Sequence, residues 1–531
     1  MKKHNKSPIK QEVKFEITEP YKQNIQQNAY LGKKGYTIPK SVLHEKDYEQ
    51  LKKDLFVKPI IFNMNYGAKD AANTQAFPVY RESLNKIYIP RFYGIEKYGV
   101  PKNEKLQIGD TINLHFAKQL RDYQENIVSI YMEHVGKKLT SNSDANGNGA
   151  ILEVPCGRGK TVLSLKIIAN MQKKTLILVH KEFLMNQWIE RINEFLPGAK
   201  IGKIQGPEFD IEDKDIVIGM IQTLYDKEYE DDAFSSFGLT IIDEVHRIGS
   251  EQFSRTLFKT ITPCMLGISA TVERKDKLTK ILYMFIGKKI YEEKREDEEE
   301  VQVRAVEFRT NDEEFNDTLL DFRGNPKFSS MITKLSNYNR RSDFIIRVLD
   351  DLRKEHPSKQ VMILAHNRSL LTYFYEAIQH KQIGTVGYYV GGMKQDKLKE
   401  TESKEIVLAT YAMAAEALDI KTLSTLIMAS PKTDITQSVG RILRTKNQKP
   451  IIVDIIDTHE IFHKQWLQRK RFYKKCNYKI FEIDSLKYTT MNLENWKNTF
   501  VPKDKVEDKD QPEEKEEIQT KGCLLDASVF D

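Results

Sequence analysis

The sequence predicts an α/β protein in which two parallel-sheet lobes follow one another behind a small α+β domain. Two observations lead to this prediction. Short apolar runs alternate with longer amphipathic segments over most of the chain, as expected for buried parallel strands separated by helices. An acidic run at 292–300 interrupts the alternation once, after which it resumes. The chain of 531 residues is long enough for about three or four structural units.

Composition excludes several classes of protein. The four cysteines lie far apart and form no C-x-x-C pair, which argues against a zinc ribbon and a disulfide framework and favours a reducing compartment. No stretch approaches the roughly 20 apolar residues that cross a bilayer, so we expect no membrane association. The 83 Lys and Arg residues exceed the 76 Asp and Glu residues, giving a net charge of +7. That surplus permits an anionic partner without requiring one.

Changes in composition divide the chain into six predicted parts. They are a flexible basic tail (1–28), an N-terminal accessory domain (29–110), a first α/β lobe (111–290), an acidic linker (291–300), a second α/β lobe (301–500) and a disordered, highly charged tail (501–531).

Each lobe is built on five predicted strands. In the first lobe these are 151–154, 175–179, 216–220, 239–242 and 265–269, with a helix at 182–195. In the second lobe they are 361–365, 385–390, 406–408, 423–428 and 451–455.

A glycine-rich turn between a predicted strand and a predicted helix indicates a phosphate site. Its residues are Pro155, Cys156, Gly157, Arg158, Gly159, Lys160 and Thr161. Backbone N–H groups of such a turn cradle phosphate oxygens, while Lys160 would reach the β- and γ-phosphates and the Thr161 hydroxyl would bind Mg²⁺. The strict G-x-x-x-x-G-K-[ST] pattern requires glycine where this chain has Val154. A glycine-rich helix entry without catalytic meaning is therefore the alternative.

Two carboxylates follow the predicted strand 239–242 directly. An open α/β sheet binds its ligand at this edge, so Asp243 would hold Mg²⁺ and Glu244 would orient or deprotonate the attacking water. The alternative is a strand that ends in solvated acids.

The second lobe offers positive charge for the transferring phosphoryl group. In the segment that begins at Gln437, Arg441 and Arg444 are three positions apart and share one face of a helix. An arginine from a separate lobe would make hydrolysis depend on closure of the two lobes. A basic helix on a solvated surface would show the same pattern.

Taken together and in this order, the motifs resemble those of the superfamily 2 helicases and translocases, over roughly residues 116–456. The resemblance implies two RecA-like lobes with ATP bound between them. It implies that Gln124 reads the adenine edge, that Asp243–His246 is a DEVH box, that Ser269 and Thr271 couple the ATP state to strand contact, and that Gln437–Arg444 is the arginine motif.

Further segments resemble the family motifs that contact a nucleic-acid backbone or the nucleotide. The resemblance implies backbone contacts for Lys181, Gln222 and Thr223, although Lys181 could simply precede a helix. It implies a coupling role for Thr410 and a nucleotide contact for Asp419, in a motif that has glycine in most family members and Ala417 here.

Two details resemble particular branches of the superfamily. The DEVH box and the segment Arg274-Lys275-Asp276 are similar to motifs of the XPB-like helicases. Those helicases usually have Arg-Glu-Asp where this chain has Arg274-Lys275-Asp276, so the chain departs from them at Lys275. Segments 35–40, 88–93 and 465–473 resemble helicases of nucleocytoplasmic large DNA viruses related to the poxvirus transcript-release helicase. For 466–473, an amphipathic helix that packs on the second lobe is favoured over a base-stacking segment.

We therefore expect an ATP- and Mg²⁺-dependent translocase that acts on DNA, in viral transcript release or DNA repair. A DNA–RNA hybrid or RNA could serve as the track, and an RNA polymerase or transcription factor could be a partner. A viral protein would reside in the virion and host cytoplasm, and otherwise in the nucleus. An RNA helicase and a non-catalytic nucleic-acid-binding scaffold are the alternatives, and the sequence leaves oligomeric state and stepping polarity open.

Overall fold

The structure is a computed structural model. It describes residues 15–59, 76–136, 148–155, 157–245, 250–273, 278–293, 300–416, 420, 422–435, 438–439 and 449–502. In this part of the chain no helix is both long enough and apolar enough to cross a membrane.

The N-terminal part forms a small α+β unit around a five-stranded sheet with the order β5-β6-β2-β1-β7. The apolar faces of its helices and strands share one core, which contains Tyr36, Leu51 and Tyr98. Its elements are α1 (Glu19–Asn28), β1 (Tyr30–Gly32), β2 (Gly35–Pro39), α2 (Glu45–Asp54), β3 (Phe56–Val57), β4 (Phe77–Pro78), β5 (Arg81–Glu82), β6 (Lys86–Ile89), α3 (Arg91–Tyr98) and β7 (Asn103–Glu104).

Helix α1 lies inside the segment that the sequence predicts to be a flexible tail. Its only buried residue is Ile25, which explains why apolar periodicity does not reveal it. The side-chain amide of Gln26 donates a 2.7 Å hydrogen bond to the carbonyl of Tyr98, which fixes the helix to α3. A distant partner, rather than local sequence, thus stabilises this helix.

The N-terminal unit is anchored to the first lobe by a buried arginine. Arg91 is 2% exposed, and its guanidinium donates to the carbonyls of Thr262 (3.1 Å) and Pro263 (2.8 Å). Beside it the ring of Phe92 packs so closely on Gly149 that a Cβ there would come within 2.7 Å of the ring. These contacts hold the unit against the strands that lead to the candidate site.

The first lobe is an eight-stranded sheet with the order β11-β10-β12-β9-β13-β14-β8-β15. All neighbouring strands are parallel except β10 and β11, and helices cover both faces. Its elements are α4 (Asp122–Gly136), β8 (Gly149–Glu153), α5 (Lys160–Met171), β9 (Thr175–Val179), α6 (Glu182–Phe195), β10 (Ile201–Gln205), β11 (Glu208–Phe209), β12 (Ile216–Met220), α7 (Ile221–Asp226), β13 (Leu239–Asp243), α8 (Ser250–Lys259), β14 (Cys264–Ser269), α9 (Thr279–Ile286) and β15 (Lys289–Glu292).

The second lobe repeats this plan with the strand order β18-β19-β17-β20-β21-β16-β22-β23. Only the last pair, β22 and β23, is antiparallel. Its elements are β16 (Gln302–Phe308), α10 (Glu313–Asn316), α11 (Phe328–Asn337), α12 (Asn339–Glu355), β17 (Gln360–Ala365), α13 (Arg368–His380), β18 (Val386–Tyr389), α14 (Gln395–Glu402), β19 (Ile406–Thr410), α15 (Tyr411–Glu416), β20 (Leu423–Met428), β21 (Ile451–Asp457), α16 (Glu460–Lys475), β22 (Lys479–Asp484) and β23 (Lys497–Phe500).

The predicted tandem α/β architecture is confirmed, and the ten predicted strands lie at the predicted places. Strand β15 runs to Glu292, into the segment predicted to be an acidic linker. The linker residues 294–299 and the tail beyond 502 lie outside the described residues.

Helix α16 packs on the second lobe, as the favoured interpretation of 466–473 has it. Trp466 and Arg469 are 3% and 1% exposed. The guanidinium of Arg469 donates two 2.8 Å hydrogen bonds to the carboxylate of Asp454, and the Tyr473 hydroxyl donates a third at 2.9 Å. These side chains are committed to the core, so they are not free to stack on bases.

The two lobes touch through α6 of the first lobe. Phe183 packs against the apolar cores of both lobes. Glu190, two turns further along α6, forms a 2.8 Å ion pair with Lys399 on α14.

Candidate functional site

The glycine-rich turn connects β8 to α5 at the carboxyl edge of the first sheet. Gly157 and Gly159 have φ angles of +85° and +84°, which glycine adopts without strain. Gly159 immediately precedes α5, and a Cβ at this position would lie 2.6 Å from the side-chain amide nitrogen of Gln124. The turn therefore presents backbone N–H groups and a helix N-terminus at one place, as a phosphate site requires.

The side chain of Gln124 is hydrogen-bonded to this turn. Its side-chain amide donates a 3.0 Å hydrogen bond to the carbonyl of Arg158, and its oxygen accepts one of 3.0 Å from the backbone N–H of Arg121. The guanidinium of Arg158 lies 4.6 Å from the Tyr123 ring and pairs with the carboxylate of Glu293. The structure thus places Gln124 against the phosphate turn, and its contact with an adenine edge stays a prediction.

The two acids predicted after β13 meet the lysine of the turn. Lys160 Nζ lies 2.6 Å from Glu244 Oε1, and both side chains are largely buried. Glu244 has a φ angle of +52°, an uncommon backbone conformation for a residue other than glycine, and its N–H donates to the carbonyl of Ile268 at 3.0 Å. The backbone of Glu244 is therefore fixed beside β14, and the ion pair with Lys160 holds its carboxylate.

Asp243 lies beside this pair and is 7% exposed. One of its oxygens, Oδ2, accepts a 3.0 Å hydrogen bond from the indole N–H of Trp188. Burial, and after it the negative charge of Glu244, raise the pKa of Asp243 to about 6 against the opposing effect of Lys160. Among the described residues, two carboxylates here lie beside one ammonium group, an arrangement that suits a divalent cation.

The residues present fit ATP together with Mg²⁺. The turn offers N–H donors and Lys160 to the phosphates, and Asp243 offers a carboxylate oxygen to the metal ion. Thr161, the second residue of α5 and half-buried, lies where a P-loop hydroxyl would complete the metal site.

Ser269, at the end of β14, connects the acids to the next loop. Its hydroxyl lies 3.4 Å from Glu244 Oε2 and donates a 2.7 Å hydrogen bond to the carbonyl of Thr271. One side chain thus contacts both the Glu244 carboxylate and the backbone of Thr271, and the predicted coupling role of Ser269 and Thr271 stays a prediction.

The residues predicted to contact nucleic acid follow neighbouring strands at the same sheet edge. Lys181 follows β9 and precedes α6, while Gln222 and Thr223 lie on α7, directly after β12. The side-chain amide of Gln222 donates to the carboxylate of Asp226 at 2.8 Å, and the Thr223 hydroxyl accepts from the N–H of Gly206 at 3.0 Å. In the second lobe Thr410 ends β19.

Several predicted site residues lie outside the described part of the chain. They are Cys156, His246, Asp419, Gln437, Arg441 and Arg444. The proposed opposition of the two arginines to Lys160 therefore stays a prediction.

Sequence reasoning did not find Trp188 or Glu293. Trp188 lies within the predicted helix 182–195, where an apolar residue reads as core, and Glu293 lies in a run of acids. Both partners are distant in the chain, so a single sequence carries no local signal for either contact.

Comparison with known proteins gives matches over most of the chain. Residues 117–274 match the family described as the res subunit of Type III restriction enzymes. Over 453 residues the chain is 34% identical to an ATP-dependent RNA helicase of Acanthamoeba polyphaga mimivirus, covering 84% of this chain and 85% of that relative. The chain belongs to the family of this mimivirus helicase, within the superfamily 2 helicases. It is an ATP-dependent helicase.

More distant relatives are named for different nucleic acids. The helicase is 26% identical to an ATP-dependent RNA helicase of African swine fever virus over 394 residues, covering 69% of this chain and 74% of that one. It is 24% identical to the DNA 3′-5′ translocase XPB2 of Sulfurisphaera tokodaii over 415 residues, covering 69% and 89%.

Proposed function

We propose that this helicase translocates along DNA, and that Lys160, Asp243 and Glu244 form the first-lobe half of its ATPase site. The observation that supports this most is the 2.6 Å contact between Lys160 and Glu244 beside the buried Asp243. The loops after β9 and β12 lie at the same carboxyl edge, so nucleotide and nucleic acid would bind next to each other.

In this proposal each residue has one task in hydrolysis. The N–H groups of the turn and Lys160 bind the phosphates, and Glu244 orients the attacking water and accepts its proton. Asp243 and the Thr161 hydroxyl would hold Mg²⁺, which neutralises phosphate charge when bound.

Arg441 and Arg444 complete the proposed site from the second lobe. Positive charge opposite the γ-phosphate stabilises the charge that spreads over its oxygens during transfer. Because these arginines belong to the other lobe, turnover would require the lobes to close, and alternating closure and opening would move the strand.

The choice of DNA is supported by the match to a DNA translocase over 89% of that protein and by the XPB-like DEVH motif. We propose a role in viral transcription or DNA repair, with an RNA polymerase or transcription factor as partner, in the virion and host cytoplasm. RNA is the second candidate track, because the mimivirus and African swine fever virus relatives are named RNA helicases.

Stimulated ATP hydrolysis tests the proposal. Turnover by the full chain is measured with single-stranded DNA and with RNA of the same sequence and length, beside the Lys160→Ala variant. Strand displacement is then followed on duplexes with 3′ or 5′ tails. We expect DNA to stimulate turnover, and binding to weaken with salt because the phosphates are contacted.

Each other outcome has a defined meaning. Stimulation by RNA alone would overturn the DNA assignment and support an RNA helicase. A wild-type protein with no more turnover than Lys160→Ala would overturn both and support a nucleic-acid-binding scaffold.

A further inference from the structure

A tryptophan holds the carboxylate of Asp243 inside the first lobe. The indole Nε1–H of Trp188, on α6, donates a 3.0 Å hydrogen bond to Asp243 Oδ2. Trp188 is 2% exposed and Asp243 is 7% exposed, so water does not compete freely for this bond. An indole has one N–H and no acceptor, so the direction of the bond is fixed.

The position of the donor is itself fixed. Trp188 packs in the first-lobe core with Leu184, Met185 and Ile192, its neighbours on the same helix. A ring held in this way has little freedom to turn, so its N–H points at a constant place. The carboxylate it binds is restrained in the same way.

A carboxylate has about four acceptor sites, so this hydrogen bond leaves lone pairs of Asp243 for a further partner. Groups that hydrogen-bond to a metal-binding side chain set its orientation and thereby the affinity of the site. We propose that Trp188 is a positioning residue that orients Asp243 toward the Mg²⁺ accompanying ATP. The proposal rests on the proposed function of Asp243 as the metal-binding acid.

The three tryptophans of the chain make a direct spectroscopic test. With ¹⁵N-labelled tryptophan, the full-length protein gives one indole N–H signal for each of Trp188, Trp466 and Trp496, and Trp188→Phe assigns the first by removing it. ADP is added first with EDTA and then with Mg²⁺. We expect Mg²⁺ to shift the Trp188 signal and to leave the two second-lobe signals in place.

The Mg²⁺ dependence of ATP turnover gives the second test. Removing the N–H with Trp188→Phe is expected to raise the half-saturating Mg²⁺ concentration about 10- to 100-fold, with a smaller change in kcat at saturating Mg²⁺. Trp466→Phe makes the same chemical change in the core of the second lobe, and Ile192→Val loosens the packing around Trp188 without removing a donor. Both controls are expected to keep the wild-type Mg²⁺ dependence.

Two results would overturn the inference. One is a Trp188 signal that stays in place while Mg²⁺ binds. This measurement uses the wild-type protein, so it does not require Trp188→Phe to fold. The other is a folded Trp188→Phe variant with unchanged Mg²⁺ dependence. Asp243→Asn distinguishes a failure of the role proposed for Trp188 from a failure of the role proposed for Asp243. Normal Mg²⁺-dependent turnover in that variant would refute the role of Asp243 itself.

Discussion

Replacing Glu244 by glutamine separates its two contacts, one with Lys160 and one with the attacking water. Lys160 Nζ is 2.6 Å from Glu244 Oε1, with side chains that are 13% and 20% exposed. A hydrogen bond to a charged group contributes about 1.5–3 kcal/mol, and phosphate must compete with it for the ammonium group. Since about 1.4 kcal/mol is tenfold in binding, Glu244→Gln is expected to bind ATP about tenfold more tightly.

The same change is expected to slow hydrolysis. A glutamine cannot take a proton from water, and general base catalysis accounts for about 10²- to 10⁴-fold in rate. Equilibrium binding of ATP by calorimetry and steady-state turnover with saturating single-stranded DNA measure the two effects separately.

A matched control removes a similar charge elsewhere in the lobe. Glu251 forms a 2.8 Å ion pair with Arg255 on α8, where the side chains are 42% and 43% exposed. An exposed pair of this kind contributes about 0–1 kcal/mol, so Glu251→Gln should match the wild type in both assays. Unchanged turnover in Glu244→Gln, or ATP binding that weakens, would refute the reasoning.

Three more predictions follow from the second lobe. Asp457→Asn breaks the buried bidentate pair with Arg341, whose two hydrogen bonds are 2.6 and 2.8 Å long. Urea unfolding should show a free energy of unfolding lower by about 3–5 kcal/mol. Replacing both residues by apolar ones should restore most of this loss. Burial lowers the pKa of His366 to about 4. Between about pH 6.5 and about pH 4 the unfolded chain binds a proton at this residue and the folded chain does not, so the free energy of unfolding should fall as the pH decreases through this range. In pH-dependent thermal unfolding, His366→Gln should reduce this slope. Arg444→Ala should lower kcat more than ATP affinity, because its charge is needed in the transition state, and a loss confined to affinity would contradict this.

Ten strands of the two lobes were predictable because burial on both faces produces a continuous apolar run, whereas β10, β16 and β22, which contain polar or charged residues, were not predicted. All five residues of β9 are buried and all are apolar or β-branched, so the run reads as a strand without any knowledge of its neighbours. Helix α6 was predicted with its observed bounds because it begins after the polar Lys181 and keeps its apolar side chains on one face.

Contacts between distant segments were not predictable in this way. The hydrogen bond of Gln26 that fixes α1 spans 72 positions, and that of Trp188 to Asp243 spans 55. A glutamine or a tryptophan in the sequence does not indicate which distant residue its side chain contacts. The sequence predicted that Lys160 and Glu244 belong to one site, because the glycine-rich turn and the acids both follow predicted strands, but it did not predict their direct contact.

Helix α6 carries both a contact with the second lobe and the side chain that is hydrogen-bonded to Asp243. Phe183 packs on the cores of both lobes, and Trp188, five residues further along the same helix, is bonded to Asp243. The exposed pair between Glu190 and Lys399 contributes about 0–1 kcal/mol. Because a helix moves as a rigid rod over so short a distance, a shift of the second lobe against Phe183 would displace the donor of Asp243 directly. We therefore expect lobe position and the proposed ATPase site to be coupled through this helix and this hydrogen bond, in addition to any arginine that reaches across.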